Sequence, residues 1–321
     1  MKKLAIATIL LSLSGFSILG AMYYVAADVP DPGLTRPVSV YTTPYEQRDI
    51  VIDGVRLRYV DEGVGQPVIL IPGHMSRIEQ YDSLIKVLRP NFRVLVFDFP
   101  GSGYSDKPER DYDLRYYEDI LLGFVRALIN DGMDDTQQYY LAGGSLGGNL
   151  AIRLAYREPE RFPRIAAWGP GSTWEAKPFG ARIMRVIGGK TLFWPTLRWQ
   201  STFWMTDDTP HREYILQEGR KYTREVLSPG FIRMYWGMAA DQVGCSLYTI
   251  AKRVEVPSLL VLGGMDSTPE MKEGMRRIHK EMPHSEFIVY PKAGHSVETT
   301  HATVLAGAIS EFFMRAEQDL P

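Results

Sequence analysis

Tyr139-Tyr140-Leu141-Ala142-Gly143-Gly144-Ser145-Leu146-Gly147-Gly148 is the stretch on which the reading of the fold turns. A short apolar run ends on glycines and continues into Asn149-Leu150-Ala151-Ile152-Arg153-Leu154-Ala155-Tyr156, whose apolar spacing is helical. Gly143, Ser145 and Gly147 spell G-x-S-x-G. A strand-to-helix corner this tight holds its central residue in a strained conformation, so the residues two before and two after it must be small. The strain lifts the serine hydroxyl clear of the sheet and turns the first helical amides toward any oxygen bound beside it. Between a strand and a helix, Ser145 reads as a nucleophile; elsewhere the motif would be a glycine-rich turn with an incidental serine.

On either side of this corner the chain repeats the same grammar. Arg48–Ile52 and Val55–Val60 flank Asp53-Gly54, a hairpin signal that favours a type I′ turn. Apolar strands follow at Pro67–Ile71, Arg93–Phe97, Tyr139–Ala142, Arg164–Trp168, Ser258–Leu262 and Glu286–Tyr290. Helical patterns lie between and after them, at Ser76–Leu88, Leu114–Ile129, Glu270–Glu281 and Thr300–Met314. Continuous apolar strands alternating with amphipathic helices predict an α/β fold, a mostly parallel eight-stranded sheet covered on both faces and opened by an antiparallel hairpin. Catalytic groups in such sheets gather at the carboxyl ends of the strands.

From Gly169 to about Arg253 the alternation stops. This insertion holds five of the six tryptophans (174, 194, 199, 204 and 236) and carries helical patterns at Arg212–Val226 and Phe231–Ala240. It is expected to be a mostly helical cap over the rim, its aromatics forming a small core of their own or lining an apolar pocket. The expected domains are therefore a core of residues 45–170 and 254–321 with a cap of residues 171–253.

The 321-residue length allows one large core or two modest ones. A hydrophobic content of 45% and a charged content of 23% are ordinary for a globular protein, and the net charge of -2 argues against a nucleic-acid partner. The lone cysteine, Cys245, rules out an intrachain disulfide and a thiolate metal cluster, and it reads as a small buried side chain. Lys2 and Lys3 precede an uncharged run of 24 residues, Leu4–Ala27. Residues 1–27 therefore read as a signal-anchor, or as a signal peptide cleaved near Val25-Ala26-Ala27, with the length favouring the anchor. Either form leaves the rest of the chain outside the cytoplasm, anchored or exported, and residues 28–44, with four prolines, are expected to be an extended linker.

A serine is a poor nucleophile near neutral pH without a base, usually histidine, oriented by a carboxylate. The last two strands are trailed by both: Asp266 in Gly263-Gly264-Met265-Asp266, and His295 in Pro291-Lys292-Ala293-Gly294-His295. Asp266 also has the option of merely capping the following helix, with Glu270 as the nearest substitute carboxylate and His301 as the reserve base. His211, His279 and His284 lie in polar surroundings and are expected at the surface. The histidines lack metal-site spacing, so neither a metal nor another cofactor is expected. An oxyanion needs donors, and the backbone N–H of Leu146, next after the nucleophile, is one.

Four features in this order resemble the α/β-hydrolase family: the serine corner, Asp98-Phe99-Pro100-Gly101-Ser102-Gly103-Tyr104-Ser105 after its strand, the Asp266 loop, and Ala293-Gly294-His295. The resemblance spans roughly Arg48 to Met314 outside the insertion, in the serine-nucleophile branch with a helical cap. It implies Ser145 as nucleophile, His295 as base and Asp266 as its orienter. The second oxyanion donor would come from the loop after the first buried parallel strand, where the family commonly has His-Gly-x. Here that loop is Pro72-Gly73-His74-Met75, and the backbone N–H of His74 matches the donor position. The Asp98–Gly103 turn is expected to be structural. The expected activity is hydrolysis of a small to medium apolar ester or lactone, a small-molecule acyl substrate, through an acyl-enzyme. The same residues also suit amides, C–C bonds beside a ketone, acyl transfer, or binding without catalysis.

Overall fold

Runs such as Val68-Ile69-Leu70-Ile71 become central strands because their alternate side chains enter a hydrophobic layer on each face. The computed structural model describes residues 43–130, 136–189, 192–194, 196–197, 212–266 and 269–318. In chain order the elements are β1 (Arg48–Ile52), β2 (Val55–Glu62), β3 (Gln66–Ile71), a 3-10 turn (Ile78–Tyr81), α1 (Asp82–Leu88), β4 (Phe92–Phe97), α2 (Leu114–Asn130), β5 (Tyr140–Gly144), α3 (Leu146–Arg157) and β6 (Ile165–Trp168). They continue with α4 (Pro178–Ile187), α5 (Arg212–Val226), α6 (Pro229–Gly244), α7 (Tyr248–Ala251), β7 (Ser258–Gly263), α8 (Pro269–Glu281), β8 (Ser285–Tyr290), α9 (Val297–Thr300) and α10 (Ala302–Gln318).

The strands form one sheet in the order β1-β2-β4-β3-β5-β6-β7-β8. β2 runs antiparallel to both β1 and β4, and the pairs from β4 through β8 are parallel. Asp53 and Gly54 both have positive φ, 49° and 78°, as the expected type I′ turn requires. Ile69, Leu95, Leu141, Ile165 and Leu260 point into one layer with Phe124 of α2, Leu150 of α3 and Ile278 of α8. Val68, Leu70, Val94, Ala142 and Val261 face the other, with Leu84 of α1 and Phe312 and Phe313 of α10. Each fully buried aliphatic side chain contributes about 1.5–3 kcal/mol of transfer free energy, so period-two alternation drives both layers together.

Two expected helices come out differently. The helix expected over Ser76–Leu88 is a 3-10 turn followed by the short α1. The Ser76 N–H turns back to Gly73 O at 3.1 Å and the Ile78 N–H donates to Asp98 Oδ1 at 2.9 Å, so these amides serve the loop. The helix expected over Thr300–Met314 is broken at His301, whose non-helical backbone separates α9 from α10. Residues 1–27 and the linker as far as residue 42 lie outside the described residues, among which no helix is long and apolar enough to cross a membrane.

The β6–β7 crossover carries α4 to α7. α6 starts at Pro229 because Ser228 Oγ accepts the Phe231 N–H at 3.2 Å and proline suits the first helical turn. Trp194 and Trp236 are buried and Trp174 is partly buried, packed against the same hydrophobic layer; Trp199 and Trp204 lie outside the described residues. Cys245, expected to be buried, is half-exposed where α6 ends, with its thiol pKa raised, chiefly by burial.

Candidate active site

Ser145 occupies the corner between β5 and α3 with φ 53° and ψ −116°, a region that β-carbon sterics disfavour. Backbone bonds hold it there. Its N–H donates to Trp168 O at 2.9 Å, and its carbonyl accepts from Asn149 N at 3.0 Å and from Gly171 N at 3.0 Å. A β-carbon on Gly147 would come within 2.0 Å of Ile71 O, and one on Gly143 within 2.5 Å of the Gly147 carbonyl carbon. Only glycine lets α3 approach β3 this closely, which is why the small residues stand two before and two after the serine.

The loop after β3 comes to the same corner. A β-carbon on Gly73 would stand 3.6 Å from Ser145 Cβ, so the Gly73-His74 peptide lies beside the serine side chain. Tyr81 fixes this loop, its hydroxyl donating to Ile71 O at 3.3 Å and accepting from Gly73 N at 3.2 Å. Met75 adopts φ 62°, a further strained residue in the turn. The Leu146 N–H belongs to the first turn of α3, where amides lack intrahelical partners. The His74 ring stacks on Tyr235 of α6 with centroids 5.3 Å apart. Burial drops its pKa to about 4, against a bond at the Tyr235 backbone, so the ring is neutral at pH 7. Its Nε2 is enclosed without a protein partner.

The loops after β7 and β8 are laced backbone to backbone. Met265 N donates to Ala293 O at 2.9 Å and Gly264 N to Tyr290 O at 2.8 Å. That lacing brings Asp266 and His295 together, with His295 Nδ1 to Asp266 Oδ2 at 2.8 Å and the carboxylate almost fully buried. Of the alternatives, Glu270 instead pairs with Lys177 at the surface, and His301 contacts Thr300 and Tyr290. The His295 ring stands 3.3 Å from where a β-carbon of Gly169 would be, directly after the Trp168 carbonyl that holds the Ser145 amide. Ser145 and His295 thus flank the same end of β6, and no hydrogen bond links them directly in this structure. Burial pulls the His295 pKa down, but the bond and charge of Asp266 and the charge of Glu298 outweigh it, leaving the pKa above the ordinary value.

Glu298 escaped the sequence reading. It is buried at the start of α9 and accepts the Trp168 indole N–H at 2.8 Å. Burial raises its carboxyl pKa, while the Trp168 bond and His295 work the other way. The Asp98–Gly103 turn is a charge-bearing clasp. Buried Asp98 accepts from Arg58 Nε at 2.7 Å, Ile78 N at 2.9 Å and Tyr104 N at 2.8 Å, and Arg58 also grips Glu79 at 2.7 Å. A β-carbon on Gly103 would collide with the Asp98 carboxylate. From the insertion, Tyr222 of α5 accepts the Gly103 N–H at 2.7 Å. Leu247 N donates to Ser172 O at 2.9 Å and Ser172 Oγ to Gln242 O at 2.8 Å, joining the two crossings between insertion and sheet.

Of the remaining histidines, His284 is exposed and His211 lies outside the described residues. His279, expected at the surface, is half-buried because it stacks on Phe287 and its Nδ1 meets Ser285 Oγ at 2.9 Å. Among the described residues no group of three or more His, Cys, Asp or Glu side chains is placed to hold a metal ion.

Comparison with known proteins agrees with this fold. The chain is 24% identical over 280 residues to 2-hydroxymuconate semialdehyde hydrolase of Pseudomonas sp. strain CF600, covering 86% of this chain and 96% of that one. Its fold matches the enol-lactonase of Burkholderia xenovorans LB400 with TM-score 0.70 and 19% identity, over 83% of this chain and all of the other. It also matches a bacterial membrane phospholipase A, with TM-score 0.64 and 18% identity over 99% of each chain. A family profile matches residues 68–308, from within β3 into α10, so the chain belongs to the alpha/beta hydrolase family.

Proposed function

We propose that the chain is a serine hydrolase acting on a small to medium apolar ester or lactone. The observation that carries this reading is the buried Asp266–His295 pair beside the strand end that fixes the strained Ser145 corner. In this reading His295, its tautomer set by Asp266, takes the proton of Ser145 Oγ through Nε2 as the hydroxyl attacks the acyl carbon. The oxyanion is received by the amides of Leu146 and His74, and an acyl-enzyme forms that water releases. A pKa above the ordinary histidine value keeps the imidazolium stable while the intermediate lasts. The insertion acts as a cap, narrowing the mouth with Tyr235 and its aromatic neighbours.

The test is turnover of a short nitrophenyl ester together with labelling by a fluorophosphonate. Ser145→Ala is expected to lose labelling and to lower kcat by about 10⁴-fold or more. Survival of either signal removes Ser145 as the nucleophile. The likeness to a semialdehyde hydrolase favours C–C cleavage as the second reading, and a vinylogous ketone substrate in the same assay separates the two.

We further place the catalytic domain on the non-cytoplasmic side, tethered through residues 1–27. The apolar run Leu4–Ala27 behind Lys2 and Lys3 supports this. Protease added to intact spheroplasts is expected to digest the domain; full protection reverses the assignment.

A further inference from the structure

We propose that the outward face of α4 is a docking surface for an anionic lipid bilayer. α4 turns Ala181 and Met184 inward, Ala181 being buried and Met184 packed against the hydrophobic layer. Its opposite side is inverted relative to an ordinary surface helix: Phe179 is 76% exposed, Val186 83%, Ile187 54% and Ile183 41%. At 100° per residue these four fall within an arc of about 100°, one continuous apolar stripe in water. A monomer rarely leaves such a stripe uncovered without an occupant.

The charges around the stripe select that occupant. From residue 176 to 189 the sequence has Lys177, Arg182 and Arg185 and no acidic residue. Arg182 and Arg185 are exposed on one flank of the stripe. Arg185 meets Asp241 at 3.2 Å and Lys177 meets Glu270 at 3.3 Å. Both pairs are solvent-exposed and weak, so either cation can turn to a lipid phosphate at little cost. A second copy of the chain fits less well. An isologous contact on this face would set arginine against arginine, and ten helical residues offer far less than the roughly 800 Å² per partner of a stable interface. Apolar side chains flanked by arginines are instead the pattern of a helix lying in the headgroup region.

Two further observations set the geometry. The linker from Ala27 to Thr43 reaches at most about 58 Å when extended, so a tether at Leu4–Ala27 keeps the domain within roughly its own diameter of the bilayer. α4 packs on α6, the helix that carries Tyr235 against His74, so docking would bring the site's mouth toward the acyl chains. The substrate class that follows is an ester partitioned into the bilayer. That corollary rests on the hydrolase reading above; the docking itself does not.

The test uses the full chain reconstituted into vesicles of phosphatidylcholine with phosphatidylglycerol. An environment-sensitive fluorophore is attached to Val186→Cys, or to Val64→Cys in the turn before β3 at the opposite end of the sheet, each in a Cys245→Ala background. Nitroxides on the lipid acyl chains are expected to quench the label at 186 and to leave the label at 64 unaffected. Equal quenching at the two positions overturns the proposal, as does label-to-label contact at 186 that reveals a second copy. Quenching at 186 that is unchanged in phosphatidylcholine alone also overturns it, because the cationic flank would then play no part. In the same vesicles, Phe179→Glu with Val186→Glu is expected to lower hydrolysis of a medium-chain, bilayer-partitioned ester roughly tenfold while a water-soluble ester is turned over as before. An equal fall on both esters counts against docking. A wild-type chain that hydrolyses neither ester refutes the hydrolase reading, and the quenching still decides the docking.

Discussion

Glu298 lies three residues past His295, holding the Trp168 indole at 2.8 Å and adding its negative field to that of Asp266. His295 would have to be neutral to act as the proposed base, so a pKa above the ordinary value would delay the onset of activity as pH rises. Glu298→Gln removes the field and retains an oxygen for Trp168. The ring's pKa should therefore fall, and the acid limb of the kcat/KM profile should move to lower pH with the melting temperature nearly unchanged. A pH–rate profile identical to wild type would show that Glu298 serves only Trp168. Ser145, Asp266 and His295 could be picked from the sequence because each sits in a glycine-bearing loop directly after an apolar strand. Glu298 could not, since Val297-Glu298-Thr299-Thr300 reads as an ordinary polar helical turn. Only the docking of α9 under the sheet's rim turns that carboxylate inward.

Between elements, the guanidinium of Arg58 carries a comparable burden. It reaches from β2 to Asp98 after β4 and to Glu79 in the 3-10 turn, so one buried cation ties the hairpin to both of these turns. Arg58→Met takes the guanidinium from the buried Asp98 carboxylate and leaves Glu79 with only Arg77 at 3.7 Å, and should cost about 3–5 kcal/mol in denaturant unfolding. Arg115→Met, which removes an exposed i,i+4 pair with Asp119, is the control and should change stability by no more than about 0.5 kcal/mol. Equal effects would show that the buried network contributes no more than a surface pair. The sequence pointed to the Asp98–Gly103 turn as structural but gave no sign of its partner, because a strand arginine ordinarily faces solvent. α4 also has apolar residues at helical spacing, but spacing alone does not tell that this stripe faces outward rather than into the core. The split of the last helix at His301 was hidden because helical spacing continues across the break.

At the scale of the molecule, alternation of apolar strands and amphipathic helices was enough to read the sheet, its hairpin start and the rim on which the candidate residues meet. The number of residues between strands also marked the β6–β7 insertion, because a crossover needs only one helix. What spacing could not supply was how that insertion is fastened. Tyr222 takes the Gly103 amide on one side, while Leu247, Ser172 and Gln242 stitch its two necks together. Asp241 of α6 adds a second tie to the core by accepting the Leu114 N–H at 2.9 Å. In the proposed role as a cap, an insertion tied down in this way would admit molecules through gaps at its edges rather than by lifting clear as one body.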